Sequence, residues 1–145
     1  MELMRRLITE FPDQMRDAWS IVERSPIDFG GWKPTGALVL GMGGSGISGV
    51  IASRMLAGTS PVPIQANSDY NVPGWVGSDT LVIACSYSGN TEETLMALDA
   101  AHQRGARIVA ITSGGQLGDR VKANGWPAVQ IPGGQPPRSQ FGYAF

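Results

Sequence analysis

The runs Ala37-Leu38-Val39-Leu40, Leu81-Val82-Ile83-Ala84-Cys85 and Ile108-Val109-Ala110-Ile111 are apolar at every position. A strand with one face in water alternates polar and apolar residues, so a short run without alternation implies a strand buried on both faces, as in a parallel sheet. Shorter runs at 62–66 and 128–131 extend the series to five strands, at 37–40, 62–66, 81–85, 107–112 and 128–131.

Segments of helical spacing lie between them. Ile47, Val50, Ile51, Arg54 and Met55 continue until Gly58; Leu95, Leu98 and Ala101 follow Thr91 and stop at Gly105; a weaker pattern covers residues 117–123. Parallel strands need a crossover, and such crossovers are right-handed, so the pattern predicts an α/β three-layer sandwich with a five-stranded parallel sheet. The strand order expected of that flavodoxin-like class is 2-1-3-4-5.

Ahead of the first strand, Leu3, Leu7, Phe11, Met15, Ala18, Trp19 and Val22 recur every three or four residues, interrupted by Pro12, which predicts two short helices within residues 1–31. Ser25 to Gly36 has the prolines and paired glycines of a loop.

Several function classes are disfavoured by composition. The 145 residues suit one core. Their net charge is −1, and Arg5-Arg6 is the one adjacent basic pair, so no nucleic-acid or acidic-membrane partner is expected. One cysteine, Cys85, and one histidine, His102, cannot make a disulfide or a Cys/His metal cluster. There is no apolar run of membrane-spanning length and no signal-peptide core at the start, which makes a cytoplasmic location the expectation.

Glycine is the unusual residue, 20 of 145, about twice the usual share of about 7%. Gly41-Met42-Gly43-Gly44-Ser45-Gly46 follows the first strand, and Ser86-Tyr87-Ser88-Gly89-Asn90-Thr91 follows the third. In the order 2-1-3-4-5 these two loops flank the crevice at the carboxyl ends of strands one and three. Each opens a helix, whose unpaired N–H groups and positive dipole end favour an anion, and the hydroxyls of Ser45, Ser86, Ser88 and Thr91 can donate to phosphate oxygens. The bland alternative makes Thr91 an ordinary helix cap. The rival ligand is a dinucleotide, because Gly41-x-Gly43-x-x-Gly46 satisfies the nicotinamide-binding fingerprint and Asp69 follows the second strand where a ribose-binding acid belongs. That site does not call for the hydroxyl-rich second loop.

At these loops, GMGGSGISG and CSYSGNTEET, the sequence resembles the SIS (sugar isomerase) domain family, and within it the bifunctional phosphoglucose/phosphomannose isomerases. The later ITSGG and the terminal PPRSQFGY are similar to the same family. The resemblance spans residues 32–143.

It implies an SIS domain over residues 32–134, with residues 135–145 beginning the connection to a second SIS domain. It further implies a hexose 6-phosphate ligand held by Gly43, Gly44, Ser45, Ser86, Ser88 and Thr91, with Pro137 and Arg138 as the family's proline-arginine motif. Arg138 would stand near the reacting carbons, where a guanidinium can stabilise an enediolate.

No cofactor and no metal are implied. The family takes its carboxylate base and ring-opening group from the second domain or a second subunit, so a dimer is expected and these 145 residues alone would bind without efficient turnover. His102, inside a helix, and Glu92 and Glu93, in a first turn beside the phosphate, are not read as catalytic. Cys85 reads as a small buried residue and the four tryptophans as scattered packing or partner contacts. A different class of function, a single-domain SIS sugar-phosphate sensor, is the alternative; it would need no second half.

Overall fold

The computed structural model describes the backbone of residues 2–144 and the side chains of residues 5–144, so the expectation for the Leu3 side chain lies outside the described residues. In chain order the elements are α1 (Glu2–Thr9), α2 (Phe11–Arg24), β1 (Gly36–Leu40), α3 (Gly43–Met55), β2 (Ile64–Asn67), β3 (Thr80–Ser86), α4 (Glu92–Gln103), β4 (Arg107–Thr112), α5 (Gly115–Asn124), β5 (Ala128–Gln130), a 3-10 turn (Pro137–Ser139) and α6 (Phe141–Ala144).

The five strands form one sheet in the order β2-β1-β3-β4-β5, every pair parallel. The apolar runs account for its middle: Leu38, Leu40, Val82, Ala84, Ile108 and Ala110 are almost wholly buried, with Leu95, Leu98, Ala101 and Leu117 of α4 and α5 packed on them. At the edge β2 starts at Ile64 instead of 62, because Pro61 and Pro63 have no N–H for the ladder. The carbonyl of Pro63 nevertheless accepts from Ala37 N–H at 2.9 Å.

α3 packs in an unexpected orientation. Of the row read from the sequence, Ile47, Val50 and Met55 point outward at 57%, 48% and 67% exposure and Ile51 is half-buried, while the buried residues are Gly46, Ser48 and Gly49. A Cβ on Gly49 would come within 2.8 Å of Val39 Cγ1 and 3.4 Å of Ala66 Cβ. The helix thus lies close against β1 and β2, and only small side chains fit between.

The two N-terminal helices form as expected, but the break falls two residues earlier: Glu10 separates them and Pro12 sits in the first turn of α2, where its missing N–H costs nothing. Leu7 is buried, whereas Met15, Trp19 and Val22 of α2 are exposed and line a mainly apolar cavity of about 460 Å³ against β4, β5 and α6. The one buried side chain of α2 is polar, Gln14.

Two further tryptophans pack against neighbouring side chains. Trp32 carries the Arg107 guanidinium 4.5 Å above its ring, and Trp126 meets exposed His102 edge-on at 5.0 Å. Among the described residues no group of three metal-ligating side chains occurs, and no helix is long and apolar enough to cross a membrane.

Candidate functional site

β1 and β3 lie side by side, but the chain runs from β1 outward to β2 and from β3 the other way to β4, so their carboxyl ends part around a crevice. Leu40 is paired with Ala84, which sets Gly41 and Cys85 level with one another at its floor. The N-termini of α3 and α4 converge on it.

Gly43, Gly44 and Gly46 fall in the first turn of α3, which starts at Gly43, four residues before the periodicity suggested. Its N-cap, Met42, offers no side-chain hydrogen bond and its first turn no acidic residue, so the first-turn N–H groups of Gly43, Gly44 and Ser45 are left without a capping partner. Gly46 folds this turn back tightly: a Cβ there would stand 2.7 Å from Gly41 O. The fingerprint glycine therefore has a packing role that is independent of any dinucleotide.

The second loop separates hydroxyls that look equivalent in sequence. Ser86 is the last residue of β3, paired with Thr112 and 1% exposed. Its Oγ accepts from Gly89 N–H at 3.1 Å and shares a 2.9 Å hydrogen bond with Thr91 Oγ1. Thr91 stands at the N-cap of α4 but makes no capping bond; its hydroxyl is committed to Ser86. Ser88 is exposed, and its Oγ accepts only a 3.2 Å bond from Asn90 N–H.

The ITSGG segment explains why the loop holds its shape. Ser113 donates to Tyr87 O through N–H at 3.1 Å and through Oγ at 2.6 Å, and Leu117 N–H donates to Gly89 O at 2.9 Å. Gly89 has φ +69°, and a side chain there would collide with the Gly114 carbonyl. Backbone freedom and lack of bulk are both required at this position.

A cavity of about 380 Å³ joins the pieces, within the range of small-molecule sites. Of the residues singled out in the sequence it is lined by Gly43, Gly44, Ser45, Ser88, Thr91, Pro137 and Arg138; Ser86 lies beneath it and does not line it. Arg138 is the one charged lining residue, brought in by the 3-10 turn that precedes α6. Sequence reasoning missed Met42, Tyr87, Gln140 and Phe141, which also line the cavity. Tyr87 could have been noticed inside the loop motif; Gln140 and Phe141 had only their nearness to Arg138 to mark them.

Glu92 and Glu93 occupy the first turn of α4 outside the lining, and raise the Tyr70 phenol pKa, secondary to desolvation. Asp69 is exposed and accepts a 3.3 Å bond from Asn71 N–H in its own turn. Cys85 is 2% exposed below α3, where burial pushes its thiol pKa up against a smaller lowering by Ser45 and Ser48.

Comparison with known proteins identifies the family. The profile of the SIS domain matches residues 33–117. The bifunctional phosphoglucose/phosphomannose isomerase of Caldicellulosiruptor bescii is 38% identical over 138 residues, 95% of this chain and 41% of that protein. Its namesake from Thermoplasma acidophilum is 40% identical over 145 residues, 97% of this chain and 43% of that protein. This chain thus spans about two fifths of the length of these relatives. In fold, the crystal structure of the Clostridium difficile 630 protein CD3275 superposes with a TM-score of 0.74 at 17% identity, covering 97% of this chain and 42% of that one. By profile and by relatives, the chain belongs to the SIS domain family.

Proposed function

We propose that the chain is the phosphate-holding SIS half of an aldose–ketose isomerase that interconverts glucose 6-phosphate or mannose 6-phosphate with fructose 6-phosphate. One observation carries this reading: a cavity of about 380 Å³ into which two uncapped helix N-termini, the hydroxyls of Ser45, Ser88 and Thr91 and a single guanidinium converge. A dianionic phosphate suits the N–H groups of the α3 first turn and the hydroxyl of Ser88, with Thr91 held ready by Ser86. The sugar then extends toward Pro137 and Arg138. The names of the two relatives support the substrate class.

Isomerisation moves a proton between adjacent carbons through an enediolate, which needs an electrostatic stabiliser and a base. Arg138 fits the first role. No carboxylate or imidazole is among the residues lining the cavity, so in this reading the base comes from outside these 145 residues, from a second SIS domain or a second subunit. Residues 32–134 form the SIS domain proper, residues 135–145 lead toward that second part, and the protein works in the cytoplasm as a dimer.

Titration calorimetry with fructose 6-phosphate, glucose 6-phosphate and NAD tests the reading. Saturable binding of the sugar phosphates, displaced by inorganic phosphate, is expected, with isomerase activity appearing when the complementary half is supplied. Binding of NAD alone would overturn it in favour of a dinucleotide site.

A further inference from the structure

α2 buries one side chain, and it is an amide. Gln14 is 6% exposed, although an apolar residue would fill the position without leaving a polar atom unsatisfied. Its Nε2 donates to Ser139 O at 2.7 Å, and its Oε1 finds no donor among the described residues. Burying an orphan acceptor is unfavourable, so packing alone does not account for glutamine here. Its bond to Ser139, the residue after Arg138, does.

Ser139 O has a second donor, Gln140 Nε2 at 3.0 Å, but that one belongs to the same turn and cannot tie the turn to the rest of the fold. Ser139 N–H and Oγ both turn back to Pro136 O, at 2.9 and 2.7 Å, and Gln140 Nε2 also donates to Ser139 Oγ at 3.1 Å. Among the described residues, Gln14 makes the one side-chain hydrogen bond from another element to residues 136–140. The surrounding contacts keep α2 in place for it. Phe11 stacks on Phe141 with centroids 5.9 Å apart, Tyr143 Oη donates to Asp17 at 2.8 Å, and a Cβ on Gly142 would stand 2.7 Å from Gln14 Cβ.

We propose that Gln14 is a positioning residue of the sugar-phosphate site: it fixes the Pro137–Ser139 turn and thereby the place of Arg138 across the cavity from the phosphate loops. This rests on the sugar-phosphate reading of the cavity. α2, outside the matched residues 33–117, is then part of the site's machinery.

The Gln14→Met variant keeps the length of the side chain and removes the donor. Two readouts on the 145-residue chain test the proposal. Without ligand, trypsin should cut the Arg138–Ser139 bond about fivefold faster in Gln14→Met, the population change expected when one such bond is lost, while other cuts keep their rates. With ligand, Gln14→Met should weaken fructose 6-phosphate binding about fivefold and leave inorganic phosphate within about twofold.

In an Arg138→Ala background the same change should move fructose 6-phosphate affinity less than about twofold, because the effect passes through Arg138. An equal loss in both backgrounds, an equal loss for inorganic phosphate, or unchanged cleavage would overturn the assignment of Gln14 and leave the sugar-phosphate reading standing. Absence of saturable fructose 6-phosphate binding in the unmutated chain would overturn both.

Discussion

Replacing Ser86 by alanine removes an oxygen that is 1% exposed and takes part in two hydrogen bonds, with Gly89 N–H at 3.1 Å and with Thr91 Oγ1 at 2.9 Å. The cost is limited by what remains. Gly89 N–H keeps a second acceptor, the Ser86 carbonyl at 3.1 Å, and half-buried Thr91 can turn to water. Two lost bonds with no stranded donor amount to about 1–2 kcal/mol, toward the lower half of what a fully orphaned pair would cost. For a domain of this size that is a fall of about 3–8 °C in Tm. Ser88→Ala removes an exposed hydroxyl with one 3.2 Å bond and should stay within about 0.5 kcal/mol of the parent. Binding should reverse in emphasis: Ser88→Ala loses a direct phosphate donor, about tenfold in affinity, with its fold unperturbed. Scanning calorimetry and titration with fructose 6-phosphate on the two variants read both quantities. Equal Tm shifts, or a larger shift for Ser88→Ala, would refute the division of labour between a buried loop brace and a ligand-facing hydroxyl.

Two further predictions concern the scaffold. Gly49→Ala forces a Cβ to within 2.8 Å of Val39 Cγ1 and should destabilise by about 1–3 kcal/mol in denaturant unfolding; a Val39→Ala partner should recover part of it, and purely additive effects would contradict the close packing of α3 on β1. Tyr143 has its pKa pushed up to about 12 from 10.0 by desolvation first and by its hydrogen bond to Asp17 next. Above pH 10 the unfolded chain therefore loses a proton that the folded chain retains, so this contribution to stability is complete below pH 10 and declines as the pH rises toward about 12. Tyr143→Phe should flatten that decline in the denaturant midpoint, and an unchanged slope would show that the phenol is not the group responsible.

What could be read in the sequence was whatever a local pattern had to express. A strand covered on both faces has no polar positions to place, so Leu38 to Leu40, Val82 to Cys85 and Ile108 to Ile111 showed themselves by lacking alternation, and glycines after two of the helices marked where the next strand began. The order of strands was a property of the fold class and not of any residue, yet it correctly set the two loops on one crevice. Periodicity failed at α3 for a physical reason. It assumes that the bulkiest face turns inward, whereas a helix lying close against a sheet selects for the least bulk, and Gly46, Ser48 and Gly49 won that place from Ile47 and Val50. Ser86 and Ser88 looked alike because a motif records residue type, while their difference is that one ends a strand and the other begins the turn beyond it. The bond proposed to support Arg138 was the least legible part. Gln14 sits in a helix whose apolar spacing draws attention to Met15, Trp19 and Val22, and its partner Ser139 is 125 positions away. Only the folded chain brings the amide to that carbonyl, and so the residue that breaks the amphipathic pattern of α2 is the one that hydrogen-bonds the N-terminal segment to the backbone beside Arg138.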